Sequence, residues 1–327
     1  MAKEGLRKRF LTFTLVGVGL ALLVVVLGAF TRLVDAGLGC PDWPGCYGYF
    51  TVPQTAEEIR VAESRFPTAL VEVGKAWAEM VHRYFATGLG ALIVGITWFA
   101  HRNRPQVPFG LPVALLFMVI LQGAFGAWTV TLKLWPQVVT AHLLGGFTTL
   151  SLLWLLALRL GLGAGLAADA SLKRHAAVAL AVVVLQIGLG GWVTSNYAAL
   201  ACPDFPTCHG QWLPPLDFAN GFDVFQSVGP NYLGGLLESD ARVTIQVMHR
   251  LGALVVLAVV GWLGWRLLRD ESRLAAWILG LLAVQLALGV LNVVWALPLW
   301  VATSHNAGGA LLLLGLVTVN YRAFSKG

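Results

Sequence analysis

The sequence predicts an all-α integral membrane protein in which eight transmembrane helices form two parallel four-helix repeats, with both chain termini in the cytoplasm. Three observations predict this class: 57% of the residues are hydrophobic and 12% are charged, eight apolar runs have membrane-spanning length, and the second half of the chain echoes the first. Soluble domains carry about 25% charged residues, so a soluble protein is excluded. The net charge of +6 indicates basic cytoplasmic loops beside the lipid bilayer, and no nucleic-acid partner is expected.

Eight apolar runs are long enough to cross about 30 Å of hydrocarbon, which takes roughly 20 helical residues. They cover approximately residues 10–31, 78–100, 108–130, 137–160, 175–195, 243–266, 274–295 and 299–321. The first run follows a basic start, but it is longer than the core of about 7 to 15 residues in a secretory signal. It is therefore predicted to be a retained helix.

Basic residues concentrate on one side of this eight-span arrangement, at the chain ends and in the loops that follow the even-numbered spans. The positive-inside rule makes this side cytoplasmic, so the chain is predicted to be a multi-pass protein of the cell membrane. Two long segments, residues 33–76 and 196–241, then lie outside. The stretch between Ala56 and Trp77 is interpreted as ordinary outer-loop sequence.

All four cysteines of the chain lie in these outer segments, in the related motifs GCPDWPGC and ACPDFPTC. An oxidising outer compartment favours one disulfide inside each motif, from Cys40 to Cys46 and from Cys202 to Cys208. Closing such a ring of about seven residues stabilises the folded loop by roughly 2 kcal/mol in the chain-entropy model. The alternatives are a redox-active dithiol and a metal site that also uses His209.

The repetition extends from the cysteine motifs into the apolar spans. LGAFTRLVDAGLGC, which ends at Cys40, aligns without a gap on LGGWVTSNYAALAC, which ends at Cys202, and TAHLLGG aligns on TSHNAGG. The chain is therefore divided into an N-terminal repeat, residues 1–162, and a C-terminal repeat, residues 163–327. Because each repeat has four spans, both have the same orientation, and the axis that relates them runs along the membrane normal.

Four of the seven histidines occupy matching places in the two repeats: His82 and His142 in the first, His249 and His305 in the second. Each is predicted to lie about one or two helical turns, roughly 6 to 10 Å, inside the outer end of its span. A single intramembrane histidine commonly bonds a neighbouring helix. Four at matched depth indicate function instead, because ionisable groups in membrane spans are costly.

Two histidines on facing helices of a four-helix unit are typical of haem iron ligation. Zinc is disfavoured because its sites have more ligands and a more polar surround. Two of the histidines are followed by glycine at three and four positions, and these glycines either pack helices together or leave room for a flat macrocycle beside the ring. They are Gly145, Gly146, Gly308 and Gly309.

An arginine directly follows one histidine of each pair, Arg83 after His82 and Arg250 after His249. A guanidinium at this height has two interpretations. It pairs with haem propionates at the outer interface, or it extends to lipid phosphates.

The two repeats differ at the position three residues before the same histidines. Glu79 shares a helix face with His82, whereas the matching residue of the second repeat is Gln246. A carboxyl beside only one histidine pair indicates that the first repeat performs proton-coupled chemistry and the second carries electrons. The alternative is a solvated glutamate near the interface.

The combination of two four-helix halves, twin CPDWPGC-type loops, EMVHR, TAHLLGG, MHRLGA and SHNAGG resembles the haem A synthase family over nearly the whole chain. The resemblance implies an oxidoreductase that converts haem O to haem A by oxidising the C8 methyl group to a formyl group through successive hydroxylations. Haem A then serves terminal oxidases.

The resemblance also implies roles for the matched residues. His249 and His305 would ligate a resident haem b, the cofactor that supplies electrons. His82 and His142 would hold or flank the substrate haem, and Glu79 would be the catalytic residue, which stabilises a cationic intermediate or moves a proton. Haem O would come from haem O synthase, and electrons from a membrane donor such as a quinol.

Two other functions fit parts of the pattern. A bis-haem, b-type electron carrier linked to quinol would need both histidine pairs but not the difference between Glu79 and Gln246. A transporter built from parallel repeats would fit the duplication, but it would bind no haem and would have polar breaks in its spans.

Overall fold

The computed structural model describes residues 2–163, 165–166, 168–269 and 271–325, with side chains from residue 4 onward. All regular elements within this part of the chain are helical. They are α1 (Ala2–Leu33), α2 (Ala56–Arg65), α3 (Val73–Arg102), α4 (Gly110–Thr131), α5 (Pro136–Ala157, extended by one π-helical turn, Leu158–Leu162), α6 (Ala170–Ser195), α7 (Phe218–Gly221), α8 (Ser239–Leu267), α9 (Ser272–Val294) and α10 (Leu299–Phe324).

Eight of these helices are long and apolar enough to cross a membrane: α1, α3, α4, α5, α6, α8, α9 and α10. The predicted all-helical class and the eight spans are confirmed. On the side of the cysteine loops, the predicted and observed helix ends differ most for α3 and α8. These helices begin at Val73 and Ser239, each about one turn before the predicted apolar run. Hydropathy misses these turns because they contain polar residues such as Lys75 and Asp240. The orientation of the termini and the duplication itself stay predictions.

The eight long helices form two four-helix bundles. In the first bundle α1 packs on α3, α3 on α4, α4 on α5, and α5 back on α1; in the second the same cycle joins α6, α8, α9 and α10. Diagonally opposite helices are therefore α3 and α5 in one bundle and α8 and α10 in the other. The bundles meet where α1 packs on α10 and where α5 packs on α6 and α10.

The interface between the bundles is apolar over most of its length and polar at specific points. The buried apolar core runs continuously through both bundles and includes Leu150, Leu153 and Leu316. Near the outer end, Arg32 of α1 donates to the carbonyl of Thr194 at 2.7 Å, and its guanidinium carbon lies 3.9 Å from the centre of the Tyr197 ring. These contacts fix the outer ends of the bundles relative to each other.

The interpretation of residues 56–77 as ordinary outer-loop sequence missed helix α2. It begins with a capping box in which the Thr55 side chain accepts from the Glu58 N–H while the Glu58 carboxylate accepts from the Thr55 N–H. This pair satisfies backbone donors at the start of the helix. Ala62 of α2 is buried in a cluster that includes Tyr47 and Met80, so the first outer segment is folded onto α3.

Candidate functional site

The structure brings the four predicted histidines together in two pairs. His82 on α3 and His142 on α5 belong to diagonally opposite helices of the first bundle, and their rings are close enough to interact electrostatically. His249 on α8 and His305 on α10 have the same relation in the second bundle. Each pair thus faces the centre of its own bundle.

The depth of the four histidines below the outer surface stays a prediction. His142 and His305 lie six residues after the first residue of their helices. His82 and His249 lie nine and ten residues after it, because α3 and α8 begin with an extra polar turn. At 1.5 Å per residue these two histidines are about 14 to 15 Å along their helices.

Each imidazole packs against a glycine of the preceding membrane helix. A Cβ atom built at this glycine would lie between 2.9 and 3.6 Å from Cε1 of the ring. The glycines and their rings are Gly28 with His82, Gly126 with His142, Gly190 with His249 and Gly289 with His305. The rings therefore rest on bare backbone. A Cβ atom at Gly28 would displace the His82 ring, whereas one at Gly126 would make only ordinary contact with His142.

Glutamine side chains fill the space that the sequence interpretation reserved for a macrocycle. A Cβ atom at Gly145 would overlap the amide of Gln122, and one at Gly308 would overlap the amide of Gln285. These amides occupy the space beside Gly145 and Gly308, and a macrocycle beside the glycines stays a prediction. Gly146 and Gly309 make only ordinary contacts, with Val25 and with Gln285.

Glu79 is buried, with 5% of its surface exposed, so the interpretation as a solvated glutamate is wrong. One carboxylate oxygen accepts the Cys40 N–H at 2.9 Å, and the other accepts Nη2 of Arg83 at 2.5 Å. The carboxylate is therefore fixed between the first cysteine loop and the helix that carries His82. A buried carboxylate is tolerated only with such partners.

Gln246, the counterpart of Glu79 in the second repeat, is also 5% exposed, but its Oε1 atom has no hydrogen-bond partner among the described residues. The cysteine loops explain the difference. A Cβ atom at Gly39 would lie 2.6 Å from the carbonyl carbon of Lys75, so the first loop touches the α3 backbone. The second loop has Ala201 at the matching position.

Gly39→Ala is expected to lower the activity of the protein about 10- to 100-fold, because the new methyl group would push the loop away from α3 and break the bond between Cys40 and Glu79; displacements near 1 Å have effects of this size. The measurement is product formation by purified protein matched for folded content. Gly74→Ala is the matched control, since a Cβ atom there meets nothing within 4 Å. Equal activity of the two variants would contradict the expectation.

Arg83 and Arg250 both bind the cysteine loops. Arg83 Nη1 donates to the carbonyls of Asp42 and Gly45 at 3.0 and 2.5 Å. Arg250 donates to the carbonyls of Cys202, Asp204 and Thr207 at 2.8 to 3.0 Å. The interpretation that these side chains extend to lipid phosphates is therefore wrong. Pairing with haem propionates stays a prediction.

Both predicted disulfides are present, with S–S distances of 2.05 Å for Cys40–Cys46 and 2.01 Å for Cys202–Cys208. The metal alternative is not supported: these sulfurs are bonded to each other, and Nε2 of His209 lies 2.9 Å from the Ala201 carbonyl. The described residues also contain no cluster of three or more potential metal ligands. Disulfides closed within each loop are consistent with a structural role. A redox role stays a prediction.

The aspartate shared by the two cysteine motifs organises each loop. In the second loop Asp204 accepts the N–H groups of His209 and Gly210 at 2.6 and 2.9 Å and the hydroxyl of Thr207. The Thr207 hydroxyl, together with these N–H groups, lowers the pKa of the Asp204 carboxyl from 3.8 to about 2. Hydrogen bonds to the charged form favour ionisation.

Acid is therefore expected to loosen the second cysteine loop. Because the pKa is lower in the folded loop, the carboxylate stabilises the loop fully above pH 3.8 and loses this effect as the pH falls toward 2. Reduction of Cys202–Cys208 by a phosphine should therefore accelerate in that range after correction for reagent protonation. Asp204→Asn should react fast already at pH 5, and an unchanged rate in the wild-type protein on acidification would argue against this account.

Comparison with known proteins gives the family. Residues 11–317 match the COX15-CtaA family model, described as cytochrome oxidase assembly protein. The chain belongs to the COX15-CtaA family. Heme A synthase of Shewanella oneidensis is 48% identical over 310 residues, which are 93% of this chain and 94% of that protein. Heme A synthase of Nitrosospira multiformis is 30% identical over 349 residues, which cover 98% of this chain and 94% of that protein. The predicted family resemblance is confirmed.

The chemistry of the histidine pairs in this COX15-CtaA chain fits haem. The Nδ1 atoms of His82, His142 and His305 are buried without a well-formed hydrogen bond among the described residues, although backbone carbonyls of Val24 and Gln285 lie beside the rings of His82 and His305. A buried polar atom without a partner calls for an explanation, and neutral imidazole is a common ligand of haem iron.

Sequence reasoning did not assign two kinds of residue to this COX15-CtaA site. They are a glutamine, Gln186 of α6, which contacts His249, and the four glycines against which the histidine rings pack. A signal was present, since QGAFG, QIGLG and QLALG share a glutamine four residues before the glycine. It was not recognised because the contacts join residues on different helices.

Proposed function

We propose that this chain is a haem A synthase, an oxidoreductase that converts the C8 methyl group of haem O to a formyl group by successive hydroxylations. The observation that carries the proposal is the asymmetry of two otherwise alike histidine pairs: a buried, hydrogen-bonded carboxylate, Glu79, lies three residues from His82, and the second pair has only Gln246. The relatives named Heme A synthase that match over more than 90% of this chain support it.

The two halves have different tasks in this proposal. The N-terminal repeat, residues 1–162, receives haem O between His82 and His142. The C-terminal repeat, residues 163–327, holds a resident haem b through His249 and His305. When bound, haem b supplies electron transfer. The inner contacts of α1 with α10 and of α5 with α6 and α10 keep the two haem sites of the chain adjacent.

The chain's own residues then orient the substrate and stabilise charge. The Glu79 carboxylate is held by the Cys40 N–H and by Arg83, so it keeps one position near the substrate site. There it stabilises positive charge that develops as the methyl group is oxidised, or accepts a proton. The Cys40–Cys46 loop supports this carboxylate and is not itself assigned a redox step.

The proposal includes partners and location. Haem O is a lipid-soluble substrate that enters from the bilayer, delivered by haem O synthase, and electrons come from a membrane donor such as a quinol. The haem sites lie near the outer face of the cell membrane, because the histidines follow the helix ends on the side of the cysteine loops.

The test is haem extraction from cells that make haem O and express this protein. Haem A is expected in the extract, and it should fall sharply with His82→Ala. Bound haem b without any haem A would instead favour the bis-haem electron carrier, and absence of haem absorbance in the purified protein would favour the transporter.

A further inference from the structure

His82 differs from the other three histidines in what surrounds it. The glycines that receive His142, His249 and His305 follow a glutamine by four residues, in QGAFG, QIGLG and QLALG. The glycine that receives His82 is Gly28, and the residue four positions before it is Val24, in VVVLG. The position that carries an amide in three sites is apolar in the fourth.

A second difference matches the first. The residue three positions after the histidine is Gly145, Gly252 or Gly308 in the three sites with glutamine, and a Cβ atom at any of them would overlap the glutamine amide. After His82 the same position is Phe85, which is 40% exposed. The glutamine and the glycine three positions after the histidine therefore occur together in three sites. Neither is present at His82, where Val24 and Phe85 take their places.

Two of the three glutamines, Gln186 and Gln285, hold their histidines by hydrogen bonds. Nε2 of Gln186 donates to the main-chain carbonyl of His249 at 2.9 Å and lies 3.1 Å from Nδ1 of the same residue. Nε2 of Gln285 donates to the carbonyl of His305 at 2.9 Å and lies 3.4 Å from its Nε2. Gln122 occupies the same slot with its amide turned, so that Nε2 faces Gly145 and has no acceptor among the described residues.

The amide of Gln186 is held in one orientation beside the His249 ring. In the present orientation Nε2 of Gln186 is the donor, so Nδ1 of His249 accepts. A ring that binds metal through Nε2 carries its proton on Nδ1. Rotation of the amide by 180° would place Oε1 of Gln186 against the His249 carbonyl oxygen, so the bond from Nε2 to that carbonyl fixes the present orientation. Gln186 therefore holds His249 through its main chain whichever ring nitrogen carries the proton.

We propose that Gln186 and Gln285 are positioning residues that fix the imidazoles of His249 and His305 for the resident haem, and that Gln122 does the same for His142. His82, which has the Val24 backbone carbonyl but no glutamine amide beside it, is the ligand that releases iron when substrate haem enters and product leaves. This inference rests on the proposed function and deepens it. A haem that stays requires two held imidazoles, whereas a haem that is exchanged requires one that moves.

The first test uses Gln186→Met, which keeps the length of the side chain and removes the amide. Haem b affinity is expected to fall about 10- to 100-fold, the usual effect of losing a hydrogen-bond partner of a metal ligand, with altered low-temperature electron paramagnetic resonance of the low-spin haem. Val24→Met is the matched control, because this position has no amide to lose, and it should leave haem b unchanged. Wild-type affinity and spectrum in Gln186→Met would overturn the inference.

The second test exchanges the surroundings of His82. The double variant Val24→Gln/Phe85→Gly should retain several-fold more substrate-type haem through purification, measured against haem b as an internal standard. Gln122→Val should retain less, and Phe85→Gly alone should not gain retention. Unchanged retention in both test variants would overturn the role given to His82. If the wild-type protein formed no haem A from haem O, the proposed function would fail instead, whatever the variants show.

Discussion

Glu79→Gln is expected to lower haem A formation by at least about 100-fold and to leave the haem b content of the protein unchanged. The variant keeps the shape and length of the side chain, and Gln246 shows that the chain accommodates glutamine at the matching place in the second bundle. What is lost is the negative charge that Arg83 and the Cys40 N–H now hold in place. Side chains that transfer or stabilise charge in this way commonly contribute 10²- to 10⁴-fold in rate.

The measurement is the ratio of haem A to haem O extracted from cells, together with the haem b spectrum of the purified variant. Gln246→Glu is the matched control, since it places the same carboxyl beside the other histidine pair. It should not create a second oxidation site, because the second cysteine loop does not bond Gln246. Normal haem A formation by Glu79→Gln would remove the main support for division of labour between the bundles.

The fold was predictable from hydropathy because membrane-spanning helices need long apolar runs, and the polar residues that interrupt such runs are rare. The starts of α3 and α8 were not predictable in this way. There the helix continues for a turn through residues such as Lys75 and Asp240, which hydropathy assigns to loops. Helix α2 had a local signal, the Thr55 and Glu58 capping box, but short polar helices give no hydropathy contrast.

The chemistry of the site was partly predictable for the same reason. His82, His142, His249 and His305 stand out because each interrupts an apolar run. The roles of glycine and glutamine were not evident, since Gln186 touches His249 across two helices and 63 positions of sequence. Which glycine receives which ring depends on the order of helices around each bundle, and hydropathy does not determine that order.

The arginine that follows a histidine shows a further limit. Sequence position places Arg83 about 100° around the helix from His82, but it does not say what lies there. The structure places the carbonyls of the first cysteine loop there. A guanidinium with five donors can hold several carbonyls at once, so the twin loops and their arginines form one structural unit on each bundle.

If His249 and His305 hold haem b as proposed, His249→Ala and His305→Ala are each expected to cause essentially complete loss of haem b, and with it of haem A formation. Both rings rest on glycines, Gly190 and Gly289. The described side chains that hydrogen-bond these histidines are the amides of Gln186 and Gln285, and an amide does not replace imidazole as a ligand of haem iron. The two histidines would hold the haem together, so loss of either would leave a single residue to hold it. The measurement is the reduced-minus-oxidised spectrum of the purified variants.

The contrast with the first bundle makes this prediction specific. His82→Ala and His142→Ala should also stop haem A formation, but they should retain haem b, because their rings belong to the other bundle and interact with each other. His175→Ala is the matched control for altering a histidine in a membrane helix, since its ring contacts Arg266 at 3.3 Å rather than another histidine. If His82→Ala removed haem b while His249→Ala retained it, the assignment of the two bundles would have to be reversed. The roles given to Gln186 and Gln285 would then move to the substrate site, and a held imidazole pair would no longer distinguish resident from exchanged haem.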